Sequence, residues 1–131
     1  MRLLGLVWTK AADSAIKAAR QEIVHRQNTA GAWPQLDQLD PDAYATGLSL
    51  VALHEAGMAV THDTYRKGVK FLLTTQYADG SWFVRTRAFP VQPYFESGFP
   101  FGRHQWISAA GTGWAARAIA LTLRDAGPSA R

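Results

Sequence analysis

Two stretches decide how this chain is read: Gln27-Asn28-Thr29-Ala30-Gly31-Ala32-Trp33 and Gln76-Tyr77-Ala78-Asp79-Gly80-Ser81-Trp82. Both spell Q-x-x-x-G-x-W, and they lie 49 residues apart. Such a match at corresponding places is an internal repeat. Its chemistry is structural. A helix C-terminus leaves about four carbonyls without partners, and a glutamine amide can donate to them. The glycine permits a turn with positive φ. The tryptophan brings a large ring and one N–H, suited to stacking on the glutamine of an adjacent unit.

Outward from the motifs, each copy follows a half-wet helix and precedes a dry one. Asp13 or Ser14 caps a predicted helix to about Arg26, with Ala15, Ile16, Ala19, Ile23 and Val24 at helical spacing. Thr61 or Asp63 starts its counterpart, which runs to about Thr75 and sets Tyr65, Val69, Leu72 and Leu73 against Arg66, Lys67 and Lys70. Asp40 as N-cap and Pro41 as first helical residue open a dry helix over about 42–56. Gly57 ends it as a left-handed cap. Gln105 or Trp106 opens a second helix, apolar nearly all round, to about Arg124, and Gly127-Pro128 stops it. Leu3 to Trp8 adds a short N-terminal helical segment. Thr112-Gly113 repeats Thr46-Gly47 at an offset of 66, so the second unit carries about 17 extra residues between Trp82 and Trp106. Gly111 and Gly113 are expected to let another helix approach closely, offsetting the roughly 1 kcal/mol that glycine costs inside a helix.

The chain has 131 residues, 47% apolar and 18% charged, which is the balance of one globular domain. That domain covers residues 1–131, with one repeat at about 14–57 and a second at about 63–124 holding a long insert over 83–104. There is no cysteine, which excludes disulfides, thiolate metal sites and a cysteine nucleophile. The net charge of +4 comes from scattered basic residues, whereas nucleic-acid binding calls for a stripe or cluster. No apolar run reaches the roughly 20 residues that span a bilayer, and no signal-peptide pattern opens the chain. A soluble, cytoplasmic protein is the expectation.

The motifs carry a resemblance. Q-x-x-x-G-x-W after a helix resembles the QW repeat of the prenyltransferase and squalene/hopene cyclase superfamily. The second copy fits its longer form, with Lys67-Gly68 and Phe71-Leu72 before Gln76, Gly80 and Trp82. The first copy departs from it, with Ala18 and Glu22 in place of the basic and aromatic residues. The stretch 92–114 looks like a diverged end-of-array unit. The resemblance covers residues 14–124 and implies an all-α fold, an incomplete α/α toroid of two helix pairs. Enzymes of the superfamily close about six such pairs around an apolar cavity. Its cyclases use a D-x-D-D acid, of which Asp40-Pro41-Asp42-Ala43 lacks the last aspartate, and its protein prenyltransferases hold zinc with Asp, Cys and His. The resemblance therefore implies either the C-terminal part of a longer array, lacking N-terminal repeats, or a short member that closes as a homo-oligomer.

The insert supplies the candidate site: Arg85, Arg87, Phe89, Tyr94, Phe95, Glu96, Arg103 and His104. One reading is an aromatic lip over a pocket for an apolar small molecule, with arginines for an anionic head. The other is a plug of aromatic residues over the open end of the array. His104 and Glu96 form an acid–base pair only if folding joins them. His54 and His62 match no zinc framework and read as solvated, and His25 suits a helix C-terminus. No catalytic residue, metal or cofactor is assigned. Two functions stand: a non-catalytic repeat module for structure, self-association or protein interaction, and a binder or cyclase/transferase-type enzyme fragment for an isoprenoid or other apolar ligand.

Overall fold

The computed structural model describes residues 2–89 and 93–125. The chain is all-α. Its helices are α1 (Arg2–Trp8), α2 (Asp13–His25), α3 (Ala43–Glu55), α4 (Asp63–Thr75) and α5 (Gln105–Asp125), the last entered through a 3-10 turn, Gly102–His104. No strand forms among the described residues, and an isolated bridge joins Pro34 to Pro41. Gly127-Pro128 and positions 90–92 of the insert lie outside the described residues.

Helix α3 is the centre, because its sequence offers water almost nothing. Nine of its 13 residues are buried, and Leu50, Val51, Ala52 and Leu53 are fully covered. The half-wet helices pack on the helices before them, α2 on α1 and α4 on α3. Leu3 and Leu4 of α1 join the same core, so the opening segment has its partners within this chain. Helix α5 runs parallel to α3, with Gly111 beside Tyr44 and Ala115 beside Gly47. That contact is the most extensive between any two helices. A Cβ on Gly47 would stand 2.6 Å from the Ala115 nitrogen, so the glycine lets the two backbones meet. Tyr65, fully buried, ties the layers together by donating from its hydroxyl to the Ala118 carbonyl at 2.9 Å. Burial, and then the Asp125 carboxylate, push its phenol pKa well above the usual value.

Three local expectations are corrected, and a fourth is filled in. Helix α2 starts at Asp13 with Ala12 before it, and no side chain caps it. Helix α3 is capped by Asp42 rather than Asp40: its carboxylate accepts from the Ala45 N–H at 2.8 Å. The Asp42 N–H also reaches the Trp33 carbonyl at 3.4 Å, so the preceding turn delays the helix by two residues. Helix α4 starts at Asp63, as expected, and its cap is His62, whose Nδ1 accepts from the Thr64 N–H at 3.2 Å. Helix α5 is not dry all round. It buries one stripe, from Gln105 through Ser108, Gly111, Ala115 and Ala118 to Leu121, and leaves the opposite face exposed. Gly57 does end α3 in the left-handed region, at φ +84.

Candidate functional site

Both Q-x-x-x-G-x-W turns form the same hydrogen bonds. Gln27 Nε2 donates to the Gly31 carbonyl at 2.8 Å, and Gln76 Nε2 to the Gly80 carbonyl at 3.0 Å. Trp33 Nε1 donates to the Ile23 carbonyl at 2.7 Å, and Trp82 Nε1 to the Leu72 carbonyl at 2.8 Å. The backbone N–H of Trp33 is accepted by Thr46 Oγ1 at 3.1 Å, and that of Trp82 by Thr112 Oγ1 at 3.0 Å. Each indole thus holds the helix of its own unit, not the glutamine of the next. Of the motif side chains, Gln27 also reaches the other unit, donating to the Thr64 carbonyl at 2.8 Å.

Beyond Trp82 the insert runs extended along α5. Its N–H groups at Trp82, Val84 and Thr86 are accepted in turn by Thr112 Oγ1, Ser108 Oγ and His104 Nδ1, at 3.0, 2.9 and 3.1 Å. Two extended residues advance about 6.6 Å, and four helical residues about 6.0 Å, so side chains four apart meet alternate amides. The ladder buries Trp82 and Val84 and turns Phe83, Arg85 and Arg87 outward. Ser108 had no assigned role in the sequence, and Thr112 had only its place in the repeat. The signal was there: polar residues spaced by four on the buried side of an apolar helix need backbone partners.

The candidate residues separate into two clefts. Arg85 and Arg87 line one of about 500 Å³, floored by Phe71, Trp82 and Phe83 and faced by Asp40 and Asp42. Phe89, Tyr94, Phe95 and Arg103 line another of about 580 Å³ with Trp106. The three arginines therefore do not converge, and none makes an ion pair among the described residues. His104 and Glu96 are not an acid–base pair. His104 Nδ1 serves the ladder, while Glu96 accepts from the Tyr94 hydroxyl and, at 3.0 Å, from the Gly98 N–H. The Tyr94 bond leads the causes that hold the Glu96 carboxyl below its usual range, and the same pair raises Tyr94.

The insert is anchored by Gln105, the residue that starts α5. It is fully buried, accepts from the Ser97 N–H at 2.5 Å and from the Ser97 hydroxyl, and donates to the Tyr94 hydroxyl at 2.9 Å. Trp106 Nε1 donates to the Phe95 carbonyl at 3.2 Å, and the two rings stack. Phe101 meets Tyr77 and Phe83 edge-on. Phe95, Trp106, Tyr77 and Phe83 all stay exposed, so these rings meet at the surface. Phe89 is 92% exposed and covers nothing.

The other histidines are structural. His54 is not solvated: its Nε2 lies 2.9 Å from Asp125 Oδ2, beside the Glu55–Arg117 pair at 3.1 Å. His25 Nδ1 lies 3.1 Å from the Gln21 carbonyl oxygen, within its own helix. No group of three metal-ligating side chains gathers among the described residues, and no described helix is long and apolar enough to cross a membrane. Comparison with family models, with curated proteins and with solved structures finds no match.

Proposed function

We propose that the chain is a non-catalytic repeat module that acts by self-association, a short member of the QW-repeat class arranged as an incomplete α/α toroid. One observation carries this reading. The motif's polar side chains are spent on backbone partners, and among the described residues its second copy lacks the partner that the first copy has. Gln27 reaches across to the Thr64 carbonyl of the following helix, whereas Gln76 has, among the described residues, the Gly80 carbonyl alone. The repeat is thus closed at one unit and open at the next, as befits a piece of a larger assembly. Native mass spectrometry of the purified chain tests the reading. A ligand-free oligomer supports it, and a monomer at every accessible concentration refutes it.

A second reading has its own support. The cleft of about 580 Å³ beside Phe89 and Phe95 has Arg103 at its wall, which suits an apolar ligand with an anionic head. It makes the chain a binder, or an enzyme fragment, for an isoprenoid or similar molecule. The same spectrum distinguishes the two: a bound apolar adduct, lost when Phe95 and Arg103 become alanine, favours the cleft.

A further inference from the structure

We infer that residues 83–87 form an unpaired strand edge that takes up an extended peptide of mixed charge as an added strand. This goes beyond the self-association proposed above and does not depend on it. The ladder beside α5 uses one parity of the segment. The N–H groups of Trp82, Val84 and Thr86 are accepted there, and the Val84 carbonyl accepts from the Ser108 hydroxyl at 3.2 Å. Successive residues of an extended chain turn their N–H and C=O to opposite edges. Those of Phe83, Arg85 and Arg87 therefore face away from α5, and among the described residues none has a hydrogen-bond partner. Phe83, Arg85 and Arg87 line the cleft of about 500 Å³, whereas Val84 and Thr86 do not. The edge spans about 13 Å. Such a row of free backbone groups is a template for a further strand.

Charge selects the occupant. Residues opposite one another on paired strands share a face. The added strand therefore sets two side chains against Arg85 and Arg87 and one against Phe83. Both arginines are exposed and neither has an ion pair among the described residues, so the first two positions call for carboxylates. The Phe83 ring is 41% exposed and calls for an apolar side chain. Across the cleft the two aspartates differ. Asp42 is spent, accepting from the Ala45 N–H at 2.8 Å and from the Gln35 amide at 2.7 Å. Asp40 is exposed and has no ion pair among the described residues. It calls for a base on the far side of the strand. Between the two walls the half-buried Phe71 and the buried Trp82 give an apolar floor.

The same charges reject other occupants. The edge of a second copy, paired antiparallel about Arg85, sets Arg85 against Arg85, and paired parallel in register it sets both arginines against their equals. Like charges directly opposite are destabilising. A wholly acidic peptide is repelled by Asp40, and a wholly basic one by the arginines. A peptide that carries both signs satisfies each wall, and its backbone supplies the N–H and C=O groups that the edge lacks.

Backbone parity gives a test that charge alone cannot pass. The probe is a labelled peptide with two glutamates and a phenylalanine at alternate positions and a lysine at its end, made in both orders so that each strand sense is sampled. Fluorescence anisotropy is expected to show binding, weakened at least about tenfold by Arg85→Gln with Arg87→Gln. Asp40→Asn removes the preference for the peptide with lysine over one without it. N-methylation of one alternate set of peptide amides abolishes binding, and methylation of the other set is tolerated. In the complex, hydrogen exchange at the Phe83, Arg85 and Arg87 amides slows at least about tenfold, while Trp82, Val84 and Thr86 keep the protection they already have. Binding that both methylated peptides retain, or that leaves exchange at 83, 85 and 87 unchanged, overturns the added strand. So does a short oligonucleotide that displaces the peptide at equal concentration, since the arginines then bind any polyanion. No binding of either order up to about 1 mM also overturns it. The light-scattering mass, read on the same sample, reports self-association separately.

Discussion

Gly31 and Gly80 share a conformation, with φ +81 and φ +85, and differ in what stands over them. A Cβ on Gly31 would meet the Cβ and carbonyl of Lys67 at 2.8 Å, because α4 lies across the first turn. A Cβ on Gly80 would meet only the Gln76 amide at 3.8 Å. Gly47 and Gly113 differ in the same way, one against the α5 backbone and the other facing open space. The contrast separates two roles that a repeat normally fuses. The glutamine, tryptophan and threonine build the turn. The glycines and the second hydrogen bond of the glutamine receive the next unit.

The sharpest way to break this contrast is Gly47→Leu. The new side chain must enter the α5 backbone, and we expect a loss of about 3 kcal/mol or more, read as a large drop in the denaturation midpoint or an unfolded circular-dichroism spectrum. Gly113→Ala, measured at dilute concentration, is expected to gain up to about 1 kcal/mol from helix propensity. Equal losses at both positions would show that the C-terminal face is already covered.

Gly31→Ala and Gly80→Ala divide the glycine's two duties. Both put alanine at positive φ, which costs roughly 1–2 kcal/mol. Only the first also collides with Lys67, so its urea midpoint should fall further. A smaller contrast lies in the glutamines. Gln27→Ala removes a half-buried donor from two carbonyls and should cost about 1–2 kcal/mol. Gln76→Ala removes an exposed one and should stay within about 0.5 kcal/mol in thermal melts.

The least effect is expected from the pair that trims the covering helix. Lys67 lies 2.6 Å from Asp63 on α4 and holds its carboxyl below the usual range. A folded pKa below the unfolded one adds stability above the unfolded value and loses it as pH falls through the folded value. Asp63→Asn should therefore lower the melting temperature slightly at neutral pH and leave the acid end unchanged, which flattens the acid limb.

The helices were legible because their signals are local. The apolar residues of α3 and the 3.6-residue stripe of α4 need no knowledge of the partner. The caps at Asp42 and His62 were not, because a competing bond from the Asp42 N–H to Trp33 and the acceptor of a histidine ring are set by tertiary packing. The dryness of α5 misled for a related reason. An apolar sequence shows that a helix can be covered, not that its own chain covers it. The site was read least well. Arg85 and Arg103 share a loop in sequence, but the alternation along 82–87 sends Arg85 to one cleft while Arg103 lines another. Gln105 starts α5 as its sequence suggested, and its second role as the clamp of the insert was not legible.

The ladder between the insert and α5 works as a vernier. Its two scales differ by about 0.6 Å per rung. Three rungs keep the drift near 1.2 Å, which rotamers absorb, and two more would double it. The ladder ends at Thr86 because α5 itself starts at Gln105, next to the last acceptor His104. It also fixes parity. One residue added between Trp82 and Thr86 would exchange the buried and outward sets, sending a charge into the core and a valine into water. Changes of length in that stretch are admissible in twos, while the loop beyond Thr86 carries no such constraint from the ladder.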